Sequence, residues 1–565
     1  MKPYLKAYDK NGKLLATGHE VVGDRGSVII PNLAPHTTYP EGSFYISWQA
    51  EQYETEKVAV PEFTTHESTY KEFAFYFKDH IVVKTKTAYD LAVDNGFTGT
   101  EAEWVQSIKG EKGDKMKFSD LTESEKEELK GEQGIQGIQG VAGRDSEKAP
   151  FLPLIVKTPL LFNWKEHPLR DKIITDGKGK FDVKFDITQL KLTGGTSYYV
   201  DAVNGDDSND GLTLAKAIKN IKTVLPKLND NDTLYIADGY YFRVNGTLFT
   251  TGFNKSVNMI ALGDNVNMIM ADEPAWVKTS GKQNVYEVTR SAAKRVINLN
   301  NMLGRTPQEF KPVSSIDLVE TTPYSFFTDN VKVYVNSGNV PNNKVVPLLS
   351  STMLRVTNPT GNFYMENINF FGGNSSARFV LTSDNNVYLN KMNLQFSCQT
   401  NGNGLEVVGG NTIISVNSEA SNNWMDGFNY HIGADGSKPN AIEINCVALE
   451  NGYEKGEAGN KSNNGTTIHD GLKAIRINGI YGRNDGGNIA DVNADTQSWN
   501  LGCVGFESYQ NKDFHLSSGS HMFLDSCIGY GSSSSIHSAY SDNKIYTRMG
   551  QYQNKFISAG TEINY

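Results

Sequence analysis

The stretch NVYLNKMNLQF, residues 386–396, places short β-like runs around Asn, and related segments recur from about residue 363 to residue 540. The small residue after each alternating apolar run marks the repeat at Asn369, Asn393, Asn417, Cys446, Gly479, Cys503 and Cys527, with spacings of 24, 24, 29, 33, 24 and 24. A near-constant period of this size indicates stacked supersecondary units. Strands broken by Gly and Asn turns predict a right-handed parallel β-helix in a mainly β protein.

The composition limits the classes of partner. The chain has 565 residues, 38% of them hydrophobic, so several domains are expected. Its net charge is -10, and no basic block offers a footprint for nucleic acid. Four cysteines do not make a disulfide framework, and Cys446, Cys503 and Cys527 are expected to be reduced thiols stacked in the core.

The first residues, MKPYLKAYDKNGKLL, lack the apolar region of a signal peptide, and no run of about 18 apolar residues is present. We therefore expect that the protein is made in a cytoplasm, that it carries no signal peptide, and that it is not inserted into a membrane. Residues 1–80 alternate short strands with turns, which predicts a small antiparallel β-sandwich with an attachment role.

Residues 81–149 combine helical patterns with glycine at every third position, at Gly131, Gly134, Gly137, Gly140 and Gly143. Only glycine fits at the axis of three wound chains, so this period predicts a collagen-like trimeric shaft. A flexible Gly-rich linker is the alternative.

The combination DLAVDNGFTGTEAEWVQSIKGEKGD (90–114) and GEQGIQGIQG (131–140) resembles the shaft of tail-fibre and baseplate proteins from bacteriophages of Gram-positive hosts. The resemblance implies a homotrimer in the virion. It also implies that the N-terminal domain docks onto phage baseplate or tail proteins, and that a receptor-binding or glycan-degrading head follows the shaft.

Residues 150–195 are a transition segment, and residues 196–565 form the predicted head. YYVDAVNGDDSNDGLT (198–213) precedes an apolar stripe that predicts one helix capping the first coil, formed by Leu214, Ile218, Ile221, Leu225 and Leu228. This arrangement resembles the start of the pectate-lyase-like β-helix in phage tailspikes. Asp206, Asp207 and Asp210 are expected to cap a helix or to be solvated in their loop. No cofactor is predicted. Calcium is the alternative, which is disfavoured because Ala217 stands where a calcium loop needs Glu.

Candidate catalytic residues come from an alignment of the later strands, which places Asp426, Asp470, Asp491, His515 and His537 in one column. Equivalent residues of neighbouring coils would stand about 4.8 Å apart. When carboxyl groups lie this close together, the pKa of one of them rises, so that this group can serve as the acid while its neighbour stays an anion. Glycosidases use such a pair. We therefore predict catalysis by Asp426, Asp470 and Asp491; a solvated ladder without catalysis is the alternative.

Predicted substrate-binding residues surround this column. His431 and Arg483 follow strands into turns, where they can bind an anionic sugar. Glu454 lies in the longest insertion, NGYEKGEAGNKSNNGT (451–466), and Trp424 and Tyr453 can stack on sugar rings. No zinc spacing, Walker loop or nucleophile elbow is present.

These observations predict a phage tail fibre or tailspike that binds a host cell-surface polysaccharide and cleaves its glycosidic bonds. Hydrolysis is favoured over lyase chemistry, although a lyase base near His431 or Arg483 remains open. The alternative function is a non-enzymatic receptor-binding fibre that adheres to cell-wall glycan.

Overall fold

The computed structural model describes most of residues 4–85 and most of residues 154–565. It leaves undescribed residues 21–24, 31–32, 34–36, 51–52, 55–56, 61, 65–70, 77–79, 86–153, 245–247, 250–251, 292, 454–462 and 511. The chain forms two compact units, residues 1–144 and residues 145–565. The predicted shaft, residues 81–149, falls almost entirely outside the described residues.

The first unit consists of antiparallel strands, as predicted for a small sandwich. Its strands are Tyr4–Asp9, Leu14–Glu20, Phe44–Ala50, Tyr53–Glu54 and Val58–Ala59 in one sheet, Arg25–Ile30, Lys71–Tyr76 and His80–Thr85 in a second, and the pair Thr38–Tyr39 and Phe63–Thr64. Leu5 and Ile46 of the first sheet share a buried cluster with Val28 and Ile30 of the second. The two sheets therefore pack against each other.

The second unit is a parallel β-helix whose coils each contribute strands to three sheets. The first sheet contains Ser197–Val200, Thr233–Ile236, Asn258–Ala261, Phe363–Glu366, Val387–Asn390, Thr412–Val416, Asn440–Ile444, Lys473–Ile477, Gln497–Leu501, His521–Asp525, Lys544–Arg548 and Thr561–Asn564. All of its neighbouring strands pair in parallel. The parallel β-helix predicted from the repeat is confirmed.

The second and third sheets run alongside the first. The second contains Gly239–Phe242, Val266–Ile269, Asn369–Phe371, Asn393–Gln395, Val447–Leu449, Ile480–Gly482, Val504–Phe506, Ile528–Tyr530 and Gln551–Tyr552. The third contains Leu354–Thr357, Ala377–Val380, Leu405–Val408, Phe428–His431, Thr466–Ile468, Ile489–Asp491, Lys512–Leu516, Ser534–Ser538 and Lys555–Ile557. The chain passes from first sheet to second to third and back in each complete coil.

The corner between the first and second sheets is two residues long in most coils, and the first of the two has a positive φ, namely Asn367, Lys391, Asn417, Asn445, Asn478, Gly502, Ser526 and Met549. Asn visits this conformation more readily than most residues. Asn445 Nδ2 donates to Asn417 Oδ1 over 3.1 Å, and Asn478 Nδ2 donates to Asn445 Oδ1 over 3.2 Å. Asn417 thus stacks with Asn445, so the predicted equivalence of Asn417 with Cys446 is wrong by one residue.

The predicted core thiols are confirmed. Cys446, Cys503 and Cys527 are free and fully buried. Glu419 forms β-bridges to both Asn393 and Val447, so Asn393 aligns with Val447 and not with Cys446. The early Asn markers therefore also lie one residue away from the cysteine column.

The interior of the later coils also contains charge. Arg476 Nη1 lies 3.3 Å from Asp491 Oδ1, and Arg476 Nε lies 3.8 Å from Glu443 Oε2, with all three side chains fully buried. Burial outweighs the attraction of Arg476 and raises the pKa of Asp491.

Residues 154–228 lead into the β-helix. They contain the antiparallel strands Leu154–Ile155, Ile173–Thr175 and Phe181–Val183, the 3-10 turns Ile187–Leu190, Leu214–Lys216 and Leu225–Lys227, and the short α-helix Ile221–Val224. The prediction of one continuous helix over 214–228 is wrong, because Ile218 instead bridges Val200 in parallel. Leu214 is 51% exposed, whereas the rest of the stripe is buried in the main core.

An insertion follows strand Val266–Ile269. It contains the strands Val277–Lys278, Tyr286–Thr289, Ala293–Leu303, Thr306–Glu309, Lys311–Pro312, Ser325–Thr328, Lys332–Asn336 and Val345–Leu349, and the helix Ile316–Thr321. These form two small sheets of their own. Within the part of the chain that the structure describes, no helix is long and apolar enough to cross a membrane.

The outer face of the first sheet is covered, and that of the second sheet is covered over its early coils. Phe162 and Ile173 pack against the outer side chains of the first sheet, such as Tyr388 and Trp499. The insertion packs on the early coils of the second sheet, where Ile297 joins Phe371. A strand that is covered on both faces has a continuous run of apolar residues in its sequence, instead of alternating apolar and polar residues. None of the buried apolar clusters in the described residues covers the outer face of the third sheet.

Candidate functional site on the third sheet

The outer face of the third sheet carries a column of aligned side chains, one from each coil. The strand register aligns Arg355, Arg378, Glu406, Asn429, Thr467, Ala490, His515, His537 and Phe556. Successive positions are about 4.8 Å apart. The column begins with charged residues and ends with histidines and an aromatic ring.

A cavity of about 340 Å³ opens at the charged end of this column. Its lining includes Arg355, Arg378 and Glu406 from the strands, together with Asn374 and Ser375 from the preceding loop. Arg378 Nε lies 3.4 Å from Glu406 Oε1, and Ser375 Oγ donates to Glu406 Oε2 over 2.9 Å. Among the described residues, Arg378 Nε and Asn374 Oδ1 are buried atoms that make no hydrogen bond.

His431 lies one coil beyond Glu406 and two residues after Asn429 in its strand; it does not line the cavity, but the charges of Glu406 and Arg378 reach it. Its imidazole stacks on that of His469 with ring centroids 4.6 Å apart and an interplanar angle of 11°. Burial lowers the pKa of His431, while the charges of Glu406 and Asp470 oppose this effect. Burial also lowers the pKa of His469, to about 4. Both rings are therefore neutral at neutral pH, and His431 can accept a proton.

Asp470 follows strand Thr466–Ile468 in a turn with a φ of 56°. It is partly exposed and accepts a hydrogen bond from Asn493 Nδ2 over 2.6 Å. Of the three predicted catalytic carboxylates, Asp470 is the one whose charge reaches His431 from a partly exposed position.

Asp426 precedes strand Phe428–His431 and is 1% exposed. It accepts hydrogen bonds from Asn429 Nδ2 over 2.5 Å, Thr467 Oγ1 over 2.7 Å and the Asn464 backbone N–H over 2.6 Å. Burial outweighs these bonds and raises the pKa of Asp426 to about 7. Because Asn429 is the neighbour of Glu406 in the column, Asp426 lies one coil from the cavity.

The predicted single column of Asp426, Asp470, Asp491, His515 and His537 does not form. His515 pairs with Ala490, not with Asp491. Asp491 instead pairs with Ile468 and Leu516, whose side chains fill the core, and its carboxylate meets Arg476 there. Since successive side chains of a strand point to opposite faces, a one-residue error moved Asp491 from the interior to the surface in the sequence alignment.

The remaining predicted binding residues are separated from one another. Trp424 and Tyr453 stack with centroids 4.5 Å apart at the corner between the second and third sheets. Arg295 lies over the other side of this pair, 4.7 Å from the Tyr453 centroid. Arg483 makes an ion pair with Glu450 and lies 5.3 Å from the Phe506 centroid. Glu454 lies outside the described residues.

Arg355, Arg378 and Glu406 were missed by the sequence analysis. Each is a charged residue between apolar neighbours at the same place in a short strand, in LRV, ARF and LEV. That shared offset in three consecutive coils was the available signal, but the sequence alignment covered only the strands of the later coils.

No group of three or more His, Cys, Asp or Glu side chains in the described ranges is placed to hold a metal ion. The Asp-rich loop near residue 206 is held by hydrogen bonds within the loop. Asp206 accepts from the Ser208 N–H over 2.8 Å, and Asp210 accepts from the Leu212 N–H over 2.9 Å.

No protein-family model matches the chain, and no curated protein matches it significantly. Similar solved structures include XylC with xylose (10% identity, TM-score 0.37, 66% of this chain and 70% of that one). Pectate lyase Pel9A gives 15% identity, a TM-score of 0.37, and coverage of 66% and 80%. A rhamnogalacturonan lyase gives 13%, 0.32, and coverage of 65% and 84%. All three TM-scores lie below 0.5, so the likeness adds no argument about the reaction of this chain.

Proposed function

We propose that this protein is a homotrimeric phage tail fibre or tailspike that binds and cleaves a polysaccharide on the surface of its host. The observation that carries the glycan-binding part is the polar cavity on the outer face of the third sheet, lined by Arg355, Arg378 and Glu406. Glycans are polar, and these charged side chains can bind such a ligand, whereas Asn429, Thr467 and Ala490 further along the column are buried. The attachment role of residues 1–80 and the location in the virion rest on the resemblance of the shaft.

The arrangement around the cavity best supports β-elimination from an acidic glycan. Arg355 and Arg378 would bind the carboxylate of a uronic acid, which makes the adjacent C5 proton more acidic. Neutral His431 would take that proton, the electron pair would form the C4–C5 double bond, and the glycosidic oxygen would leave as a hydroxyl after taking a proton from water. Glu406 would hold Arg378 in place, and Asp470 would stabilise the imidazolium that forms. This reaction needs no cofactor.

Hydrolysis is the second candidate, and the state of Asp426 favours it. A carboxyl with a pKa of about 7 can act as a general acid, and Glu406, beside Arg378, can act as a base. The two groups come from neighbouring coils. Asp426 is 1% exposed, so this route requires the site to open. That requirement places hydrolysis second.

The test is to incubate the full chain with purified surface polysaccharides of the host and to measure the size of the products. Ultraviolet absorbance of a new unsaturated chain end identifies elimination; shortening without it identifies hydrolysis. Glu406→Gln should abolish shortening, and Glu320→Gln, on the exposed helix of the insertion, should not. Binding without shortening by the wild type would leave the non-enzymatic fibre as the function.

A further inference from the structure

The histidine pair at the far end of the third sheet has the geometry of a metal chelate. His515 and His537 occupy neighbouring coils in register, and their Nδ1 atoms face each other at 3.2 Å. The ring centroids are 5.1 Å apart with an interplanar angle of 55°. Both side chains are partly exposed, so an ion can reach them.

The distance between the two nitrogens matches shared coordination of one ion. Zinc binds imidazole nitrogen at about 2.0–2.1 Å, and two nitrogens 3.2 Å apart then subtend an angle of about 100° at the metal. This angle is close to tetrahedral. Without a metal, one Nδ1 must carry a hydrogen and donate to the other, since two protonated Nδ1 atoms would repel each other.

We infer that His515 and His537 form a two-histidine site for a divalent transition metal such as Zn²⁺, Ni²⁺ or Cu²⁺. Imidazole ligands select these ions over Mg²⁺ and Ca²⁺, which prefer oxygen. The protein supplies two ligands, so the other coordination positions are open to water or to oxygen atoms of a bound ligand. Because His515 lies four coils from Glu406 in the same column, the ion would sit about 19 Å along the sheet from the Arg378–Glu406 cavity.

Some neighbours of the His515–His537 pair favour metal binding, and one opposes it. The Phe556 ring stacks on His537 with centroids 5.0 Å apart and restrains its orientation. Lys512 is a charged residue near both rings, and its ammonium group would repel a bound cation. The backbone of His537 is a further polar neighbour of both rings.

The other histidine pair on this face provides a contrast within the same fold. His431 and His469 lie nearly parallel at 11°, with one ring above the other. Lone pairs of imidazole nitrogens lie in the ring plane, so those of two stacked rings run side by side instead of converging. His431 and His469 therefore lack a shared coordination point, although they are as close in space as His515 and His537.

The test uses the full chain after dialysis against a chelator. Calorimetric titration with NiCl₂ and ZnCl₂ should show one ion per chain, and His515→Ala and His537→Ala should each abolish this binding. His521→Ala changes a partly buried histidine of the first sheet and should leave it intact. Lys512→Gln should tighten binding several-fold, because it removes the opposing charge.

Electron paramagnetic resonance of the Cu²⁺-loaded chain gives an independent readout and should show two imidazole nitrogens bound to one copper. Far-ultraviolet circular dichroism of each variant establishes that the fold is kept. The inference is overturned if the wild type binds no ion at one per chain. It is also overturned if a folded His515→Ala chain binds as tightly as the wild type, or if the copper spectrum shows a single nitrogen.

Discussion

Replacing Arg476 by Met tests how the β-helix tolerates charge in its interior. The guanidinium lies 3.3 Å from Asp491 and 3.8 Å from Glu443, and all three side chains are fully buried. With an effective dielectric constant of about 20, each contact corresponds to roughly 4–5 kcal/mol of attraction. Desolvation offsets much of this attraction. Removing one partner of a buried ion pair nevertheless costs about 3–5 kcal/mol, because the remaining charges stay buried without compensation.

We expect Arg476→Met to lower the free energy of unfolding by about 3–5 kcal/mol at neutral pH. The deficit should shrink in acid. Without Arg476, the pKa of Asp491, which burial already raises, rises further above its unfolded value of about 4. Groups of this kind favour the folded state fully below the unfolded pKa, and that contribution is lost as pH rises through the folded pKa.

The measurement is urea unfolding followed by tryptophan fluorescence at pH 5 and pH 8. Arg476→Met should lose more stability at pH 8 than at pH 5. The triple variant Glu443→Gln/Arg476→Met/Asp491→Asn should recover most of the loss, since no charge remains buried. Asp491→Asn alone leaves the balanced Arg476–Glu443 pair, so it should change stability little and leave glycan cleavage intact. An Arg476→Met chain as stable as the wild type at pH 8 would refute this account of the core.

Three further outcomes are expected. Arg378→Met should raise KM for an acidic glycan, whereas a neutral glycan should bind the variant and the wild type equally; steady-state kinetics on both polymers decides this. Cleavage should persist to lower pH than a histidine of ordinary pKa allows and then fall as His431 gains its proton, because burial lowers its pKa; His431→Phe should abolish activity at every pH. Phe162→Ala should cost about 3–5 kcal/mol in urea unfolding, because this fully buried ring covers the first sheet; an unchanged midpoint would contradict that role.

The fold was predictable because the coil period is a pattern that recurs over many residues. Each coil repeats the same order of apolar runs and turn residues, so an error of one residue at a single coil does not hide the architecture. The reduced core cysteines followed from the same repeat. By contrast, the capping helix was mispredicted because Ile218 pairs with Val200, a tertiary contact that overrides the local apolar stripe.

The site was harder to predict because it depends on which face each side chain occupies. Asp491 and His515 appear at similar places in their segments, but one enters the core and the other reaches the surface. A shift of one residue reverses that assignment, and short strands of three residues carry too little alternation to fix it. His431 was selected because a turn follows its strand, and Asp470 was selected from the alignment of the later strands. Arg378 and Glu406 precede the strands in that alignment.

The two-residue corner between the first and second sheets restricts where the chain can change length. A coil cannot gain residues there without losing the stacked asparagines at Asn417, Asn445 and Asn478. The long insertion and the segment 451–465 both lie between a strand of the second sheet and a strand of the third. New sequence therefore accumulates along one border of the charged face. The scaffold can exchange one ligand preference for another by rebuilding that border, while the stack of coils stays as it is.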